Sequence, residues 1–175
     1  MEPTAPHGTI PTVLARCLLV CSITAACSAG TPGKPCDDHP VIPGGAVELG
    51  LGDTFTPIRD GQDVELILGS QGLWMFVINA RVQDMDASAG DIGVLADVVD
   101  GNGNRASLLD RGCRARQFED DGSGAQQLAT GSLLPLDPNA AAMPDGATFT
   151  IRIEVRDADG RRATDERTVV AHTPS

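Results

Sequence analysis

The chain contains no tyrosine, one tryptophan, four phenylalanines and three histidines in 175 residues. Clefts that cleave sugars between paired carboxylates usually offer aromatic platforms. The scarcity of rings therefore counts against a glycosidase, although acids are plentiful at Asp84, Asp86, Asp91, Asp97, Asp100 and Glu119 to Asp121. Those acids sit in turn-like stretches, where Asp serves backbone hydrogen bonds and solubility. The histidines are badly placed for catalysis. His7 is in the leading segment, His39 in a Gly/Pro-rich stretch and His172 close to residue 175. A general base must be held within hydrogen-bond reach of its proton, and none of the three is expected on a scaffold. Ser-His-Asp, Cys-His and zinc chemistry therefore lack a part, and no Cys-x-x-Cys spacing exists. Positive charge is short as well: 13 Lys plus Arg against 24 Asp plus Glu gives −11. Such a chain repels the phosphates of nucleic acid and has no basic patch for an anionic membrane. No apolar run reaches 18 residues, the length that would suit a spanning helix.

What is present begins at the N-terminus. Arg16 precedes the apolar and small-residue run Cys17–Ala26, which ends in Thr24-Ala25-Ala26-Cys27. The run is too short to span a bilayer and suits a signal-peptide core. Thr24 to Cys27 resembles the bacterial lipobox. That resemblance implies cleavage before Cys27, a diacylglycerol thioether on its sulfur and a membrane anchor there. Ser28 after the acylated Cys implies the outer membrane. The rival readings are a plain secretory cut near Ala29 and a short buried helix in a cytosolic protein. If the anchor forms, Cys17 and Cys21 leave with the signal, and Cys36 and Cys113 remain as an even pair in an oxidising compartment. A Cys36–Cys113 disulfide is expected. It would close a loop of 113 − 36 = 77 residues, worth on the order of 4 kcal/mol in the chain-entropy account.

The organisation follows: a lipoprotein signal over 1–26, a Gly/Pro-rich flexible tether over 27–45, a domain over 46–172 and a tail over 173–175. The domain can bury one hydrophobic core unaided. Its apolar period is two. Trp74, Phe76, Ile78, Ala80 and Val82 share one face, as do Phe149, Ile151, Ile153 and Val155. Asp157-Ala-Asp-Gly160 is a turn, and 162–171 returns as a partner strand. Weaker strands are expected over 47–51, 63–68, 94–99, 105–109 and 126–134. No capped amphipathic helix is found. The pattern is all-β, an antiparallel β-sandwich of about seven strands.

Gly146 to Ala171 resembles the last hairpin of bacterial immunoglobulin-like domains, which have an alternating strand, an Asp-x-x-Gly turn and a second strand ending in valines. The whole chain resembles the Arg-rich, lysine-poor lipoproteins of unknown function in myxobacteria-type genomes, and Gly69-Ser-Gln-Gly72 before a long strand is shared with them. The resemblance implies an exported immunoglobulin-like domain and no activity.

Two sites stand out in the domain. Asp100-Gly-Asn-Gly-Asn104 offers oxygens from Asp100, Asn102 and Asn104 at positions 1, 3 and 5, the spacing that curls round calcium. The Gly and Glu of an EF-hand loop are replaced by Arg105 and Arg111, so an ordinary hairpin turn is the alternative. Phe118, in the charged stretch 111–121, is either an exposed anchor for a partner or a ring folded back on the sheet. The expected role is a non-catalytic envelope module whose partner is a protein or a glycan. Calcium is the single cofactor considered, in an adhesion-type alternative, and a carboxylate hydrolase is the remoter one.

Overall fold

Strict alternation decides the strand over residues 148–156. Phe149, Ile151, Ile153 and Val155 point inward and are buried, while Arg152 between them is exposed. The computed structural model describes residues 34–37, 40–86, 91–108, 112–140 and 144–174. The signal segment and Cys27 lie outside the described residues. The strands are β1 Ile42–Pro43, β2 Ala46–Leu51, β3 Thr56–Pro57, β4 Gln62–Glu65, β5 Ile67–Leu68 and β6 Trp74–Gln83. They continue with β7 Asp91–Asp100, β8 Arg114–Asp120, β9 Gln126–Leu128, β10 Ser132–Pro135, β11 Thr148–Arg156 and β12 Arg161–His172. Among the described residues the fold is all-β.

The hydrogen-bonded path runs β1-β12-β11-β7-β8-β9-β6-β2-β3, with β4 also on β12 and with β5 and β10 also on β6. Three expectations are corrected. The described residues form twelve strands rather than about seven. The pairing is mixed, because β1 and β4 both run parallel to β12. Of the stretch expected over 105–109, the described residues 105–108 do not return as a strand: Arg105 and Ser107 make isolated bridges to Val99 and Leu136. The 126–134 stretch breaks into β9 and β10, which pair different parts of β6.

β8 joins the two halves of the path. Arg114 to Gln117 pair with β7, and Phe118 to Asp120 pair with β9. The stretch expected to be a charged loop is thus a strand that changes partners midway. The halves also touch through side chains. The Phe76 ring on β6 meets the Phe149 ring on β11, and the Leu49 N–H of β2 donates to Asp165 Oδ2 of β12 at 2.8 Å. The core lies there: Leu49, Ile78, Ile92, Leu134, Ile151 and Val169 are almost wholly withdrawn from water. Each such side chain contributes about 1.5–3 kcal/mol of transfer free energy.

Two buried polar groups pin loops onto this frame. Asn79, fully buried on β6, donates through Nδ2 to the carbonyls of Gly52 and Asp53 at 3.3 and 3.0 Å. It thereby holds the 52–55 turn against the sheet. Asp157 is 0% exposed and accepts from the N–H groups of Asp86, Asp159 and Arg161 at 3.0, 3.0 and 2.9 Å. A buried carboxylate persists only when its lone pairs are filled in this way. Here the filling closes the β11–β12 turn and ties it to the end of β6.

Candidate functional site

The turn at Asp157–Gly160 marks one end of the domain, and His172 marks the other. At the turn end Arg161 Nη1 donates to the Asp84 carbonyl, just beyond β6. At the His172 end the Leu66 N–H donates to the His172 carbonyl, and β5 then pairs with the start of β6. Trp74 therefore belongs to the His172 end and Gln83 to the turn end.

Aliphatic side chains gather at the His172 end. Ile67 lies opposite Met75, Pro135 lies opposite the same Met75, and Leu133 lies opposite Val77. Directly paired residues share a face. Ile67, Met75, Val77 and Leu133 therefore form one apolar outer surface, with Pro135 buried beneath its edge. Ile67 is 41% and Leu133 43% exposed, and Leu68 on the facing side of β5 is 57% exposed. Leu108, also exposed, joins through its N–H to the Pro135 carbonyl. Burial favours alternation, so consecutive apolar residues leave one face wet. Leu66-Ile67-Leu68 and Leu133-Leu134 carry that signal in the sequence.

The other outer face, on β7, β11 and β12, is charged. Asp97, Arg152 and Glu166 form a row across the three strands. Arg152 Nε donates to Glu166 Oε2 at 3.2 Å, with both side chains more than half exposed. Thr150 and Thr168 continue the ladder with hydroxyls 3.3 Å apart. An open groove of about 700 Å³ runs over Leu95, Asp97, Arg105, Arg152 and Glu166. Exposed pairs of this kind contribute little to stability and keep a sheet face soluble.

The third feature is covalent. Cys36 and Cys113 form a disulfide, with Cα atoms 5.5 Å apart. The bridge crosses β7 at Gly93. A Cβ on Gly93 would stand 2.6 Å from Cys113 Sγ, 2.7 Å from the Pro35 carbonyl and 3.1 Å from Cys36 Sγ. Pro35 itself is buried. Gly93 lies in register with Arg156, and Arg156 with Arg162, which pairs with Pro43 of β1. The segment read as a flexible tether is thus fastened twice, at 35–36 and at 42–43.

The remaining expected sites fall as follows. Asp100 Oδ1 accepts from the N–H groups of Asn102 and Asn104 at 2.9 and 2.8 Å, and Oδ2 accepts from Asn104 Nδ2 at 3.3 Å. The Asn104 N–H holds the Asp100 carboxyl below its ordinary range. Both carboxylate oxygens thus serve the turn. The Asn102 and Asn104 N–H groups act as donors, which is the bonding of an ordinary hairpin turn. Phe118 is 8% exposed and belongs to the core, so it is no exposed anchor. It is the one buried residue of β8, at the point where the strand passes from β7 to β9. Trp74 is partly buried against the core, as its phase implies.

His172 is a further correction. It ends β12, with Nε2 3.0 Å from Asp63 Oδ1 and Nδ1 3.6 Å from Asp145 Oδ1. The scaffold does hold it, yet each ring nitrogen faces a carboxylate. The Thr173 N–H, first, and His172 keep Asp145 below the ordinary carboxylate range. On its position alone the sequence offered no sign of this clasp, because Asp63 and Asp145 lie 109 and 27 residues away, and topology alone unites them.

Comparison of the chain with protein-family models, with curated proteins and with solved structures finds no match.

Proposed function

We propose that this protein is an exported lipoprotein, anchored through Cys27 to the cell envelope, with an immunoglobulin-like β-sandwich that binds an envelope protein or glycan without catalysing a reaction. The observation that carries this reading is the Cys36–Cys113 disulfide. Such bonds persist in oxidising compartments and are rare in the cytosol. It lies just beyond the stretch that resembles a lipobox. The edge-to-face contact of Phe76 with Phe149 across the two halves supports a sandwich. The exposed aliphatic surface around Ile67 and Leu133 supports a binding role, since contiguous exposed apolar side chains mark interaction sites. The outer membrane is the proposed address, from Ser28.

Intact mass of the protein taken from native membranes, with and without reductant, tests the reading. A species that starts at Cys27, carries a lipid increment and gains two mass units on reduction is expected. A species that retains Met1 and bears no lipid overturns it.

A further inference from the structure

We infer that the Cys36–Cys113 bridge sets the distance and attitude of the domain relative to the bilayer, with the Asp157–Gly160 end facing the lipid and the aliphatic end facing away. The inference rests on the proposed anchor at Cys27.

The reach of the segment after Cys27 limits how far the domain can stand from the bilayer. Nineteen residues separate Cys27 from Ala46 (46 − 27 = 19), and a free segment of that length extends to about 65 Å at roughly 3.4 Å per residue. The bridge removes most of that slack. The covalent path from Cys27 to the fastened Cys36 is 36 − 27 = 9 residues, or about 31 Å at most. Without the bridge the next fastening is β1, and 42 − 27 = 15 residues reach about 51 Å.

The place of the fastening then fixes the attitude. Cys36 and Cys113 sit over Gly93, in the row of Arg156 and Arg162 that directly precedes and follows the β11–β12 turn. That end is pulled toward the anchor. Ile67, Leu68, Leu108 and Leu133 are at the other end, along the length of β6. The partner of the turn end is thus the lipid headgroup layer. The aliphatic end is presented to whatever lies beyond it. The net negative charge favours this arrangement as well, since it keeps the domain body from lying flat on an anionic leaflet.

The test uses the full-length lipidated protein in vesicles of phosphatidylethanolamine and phosphatidylglycerol that contain a headgroup-labelled acceptor lipid. Lys34 is the single lysine, so Lys34→Arg combined with Gln117→Lys or Gln71→Lys gives one amine dye near the bridge or near Trp74. Energy transfer to the acceptor is expected to be several-fold stronger from position 117 than from position 71. Adding Cys36→Ser and Cys113→Ser is expected to weaken transfer from 117 and to narrow the difference, while β1, still fastened beside Arg161 and Arg162, keeps the same end toward the anchor. A second variant keeps the bridge and inserts eight Gly/Ser residues between Ala29 and Gly30; it should weaken transfer from 117 likewise, whatever the serine variant does to folding. Equal transfer from both positions in the bridged protein overturns the inference, as does indifference to the insertion. Absence of lipid on Cys27 by mass, with no transfer from either position, overturns the anchor instead.

Discussion

The rings of Phe76 and Phe149 meet edge to face, with centroids 5.8 Å apart and planes at 75°. One ring comes from β6 and the other from β11, so the contact binds the two halves of the hydrogen-bonded path. Both rings are buried. Phe149→Ala removes the ring and leaves a cavity between strands that cannot move together. A loss of about 3–5 kcal/mol is expected in denaturant unfolding. In a double-mutant cycle with Phe76→Leu, a coupling of about 0.5–1.5 kcal/mol should remain after area effects are removed. A coupling near zero would mean that the rings are neighbours without a preferred geometry.

Gly93 is expected to be intolerant of any side chain. Its backbone does not require glycine, so the constraint is space alone: the Cβ would overlap Cys113 Sγ and the Pro35 carbonyl. Gly93→Val should yield two titratable thiols at Cys36 and Cys113 after oxidative refolding. The lost cross-link should lower stability by about 2–4 kcal/mol. A variant that forms the disulfide at the normal rate would show that the 35–36 segment can rise off β7.

Asp157→Ala should cost about 1–3 kcal/mol, because it removes the buried acceptor of the part-buried N–H groups of Asp86, Asp159 and Arg161. Asp157→Asn retains an acceptor and should cost less. Hydrogen exchange at those three amides reads the effect directly. Unchanged protection in the alanine variant would show that another group or water replaces the carboxylate.

Acid should act on Asp100 and Asp121. Asn104 for the first and the Ser123 hydroxyl for the second hold these carboxyls below the ordinary 3.8. The folded state therefore binds the proton less readily than the unfolded chain. That stability is present above about pH 4 and is lost as pH falls through the lower folded-state values. Unfolding midpoints should fall between pH 4 and pH 2, and Asp100→Asn should flatten part of that slope. Because the Asp100 oxygens already accept from Asn102 and Asn104, thermal melts in calcium and in chelator should superimpose. A calcium-dependent rise in Tm would restore the cation reading of 100–104.

The legible elements were those that bury one face and wet the other. β11 alternates strictly, β6 does so at Phe76, Ile78, Ala80 and Val82, and Asp157 to Gly160 spells the turn into β12. β8 was illegible as a strand because its Arg114, Arg116, Glu119 and Asp120 are not withdrawn from water on either face. A strand that passes from one set of partners to another offers no continuous wet face to alternate against. β1, β3, β4 and β5 span two to four residues each, too few for any period. Their parallel or antiparallel sense depends on where β12, β6 and β2 lie. Of the candidate sites, the cysteine pair was legible by parity. Phe118 was not, because its burial depends on the partner exchange within β8. The aliphatic surface was written as consecutive apolar residues but reads as core until the register assigns each side chain to a face.

The pairing of β4 with β12 has a consequence for when the molecule can fold. Val64 waits for Ala171, and Ile42 waits for Arg161. Neither early strand has its neighbour until β12 has been synthesised, and loop closure over such separations is slow. β1 and β4 are therefore among the last strands to find their places, after β2, β5, β9 and β10 have had β6 to pair with. The chain thus sews its own N-terminal edge shut from the C-terminal side.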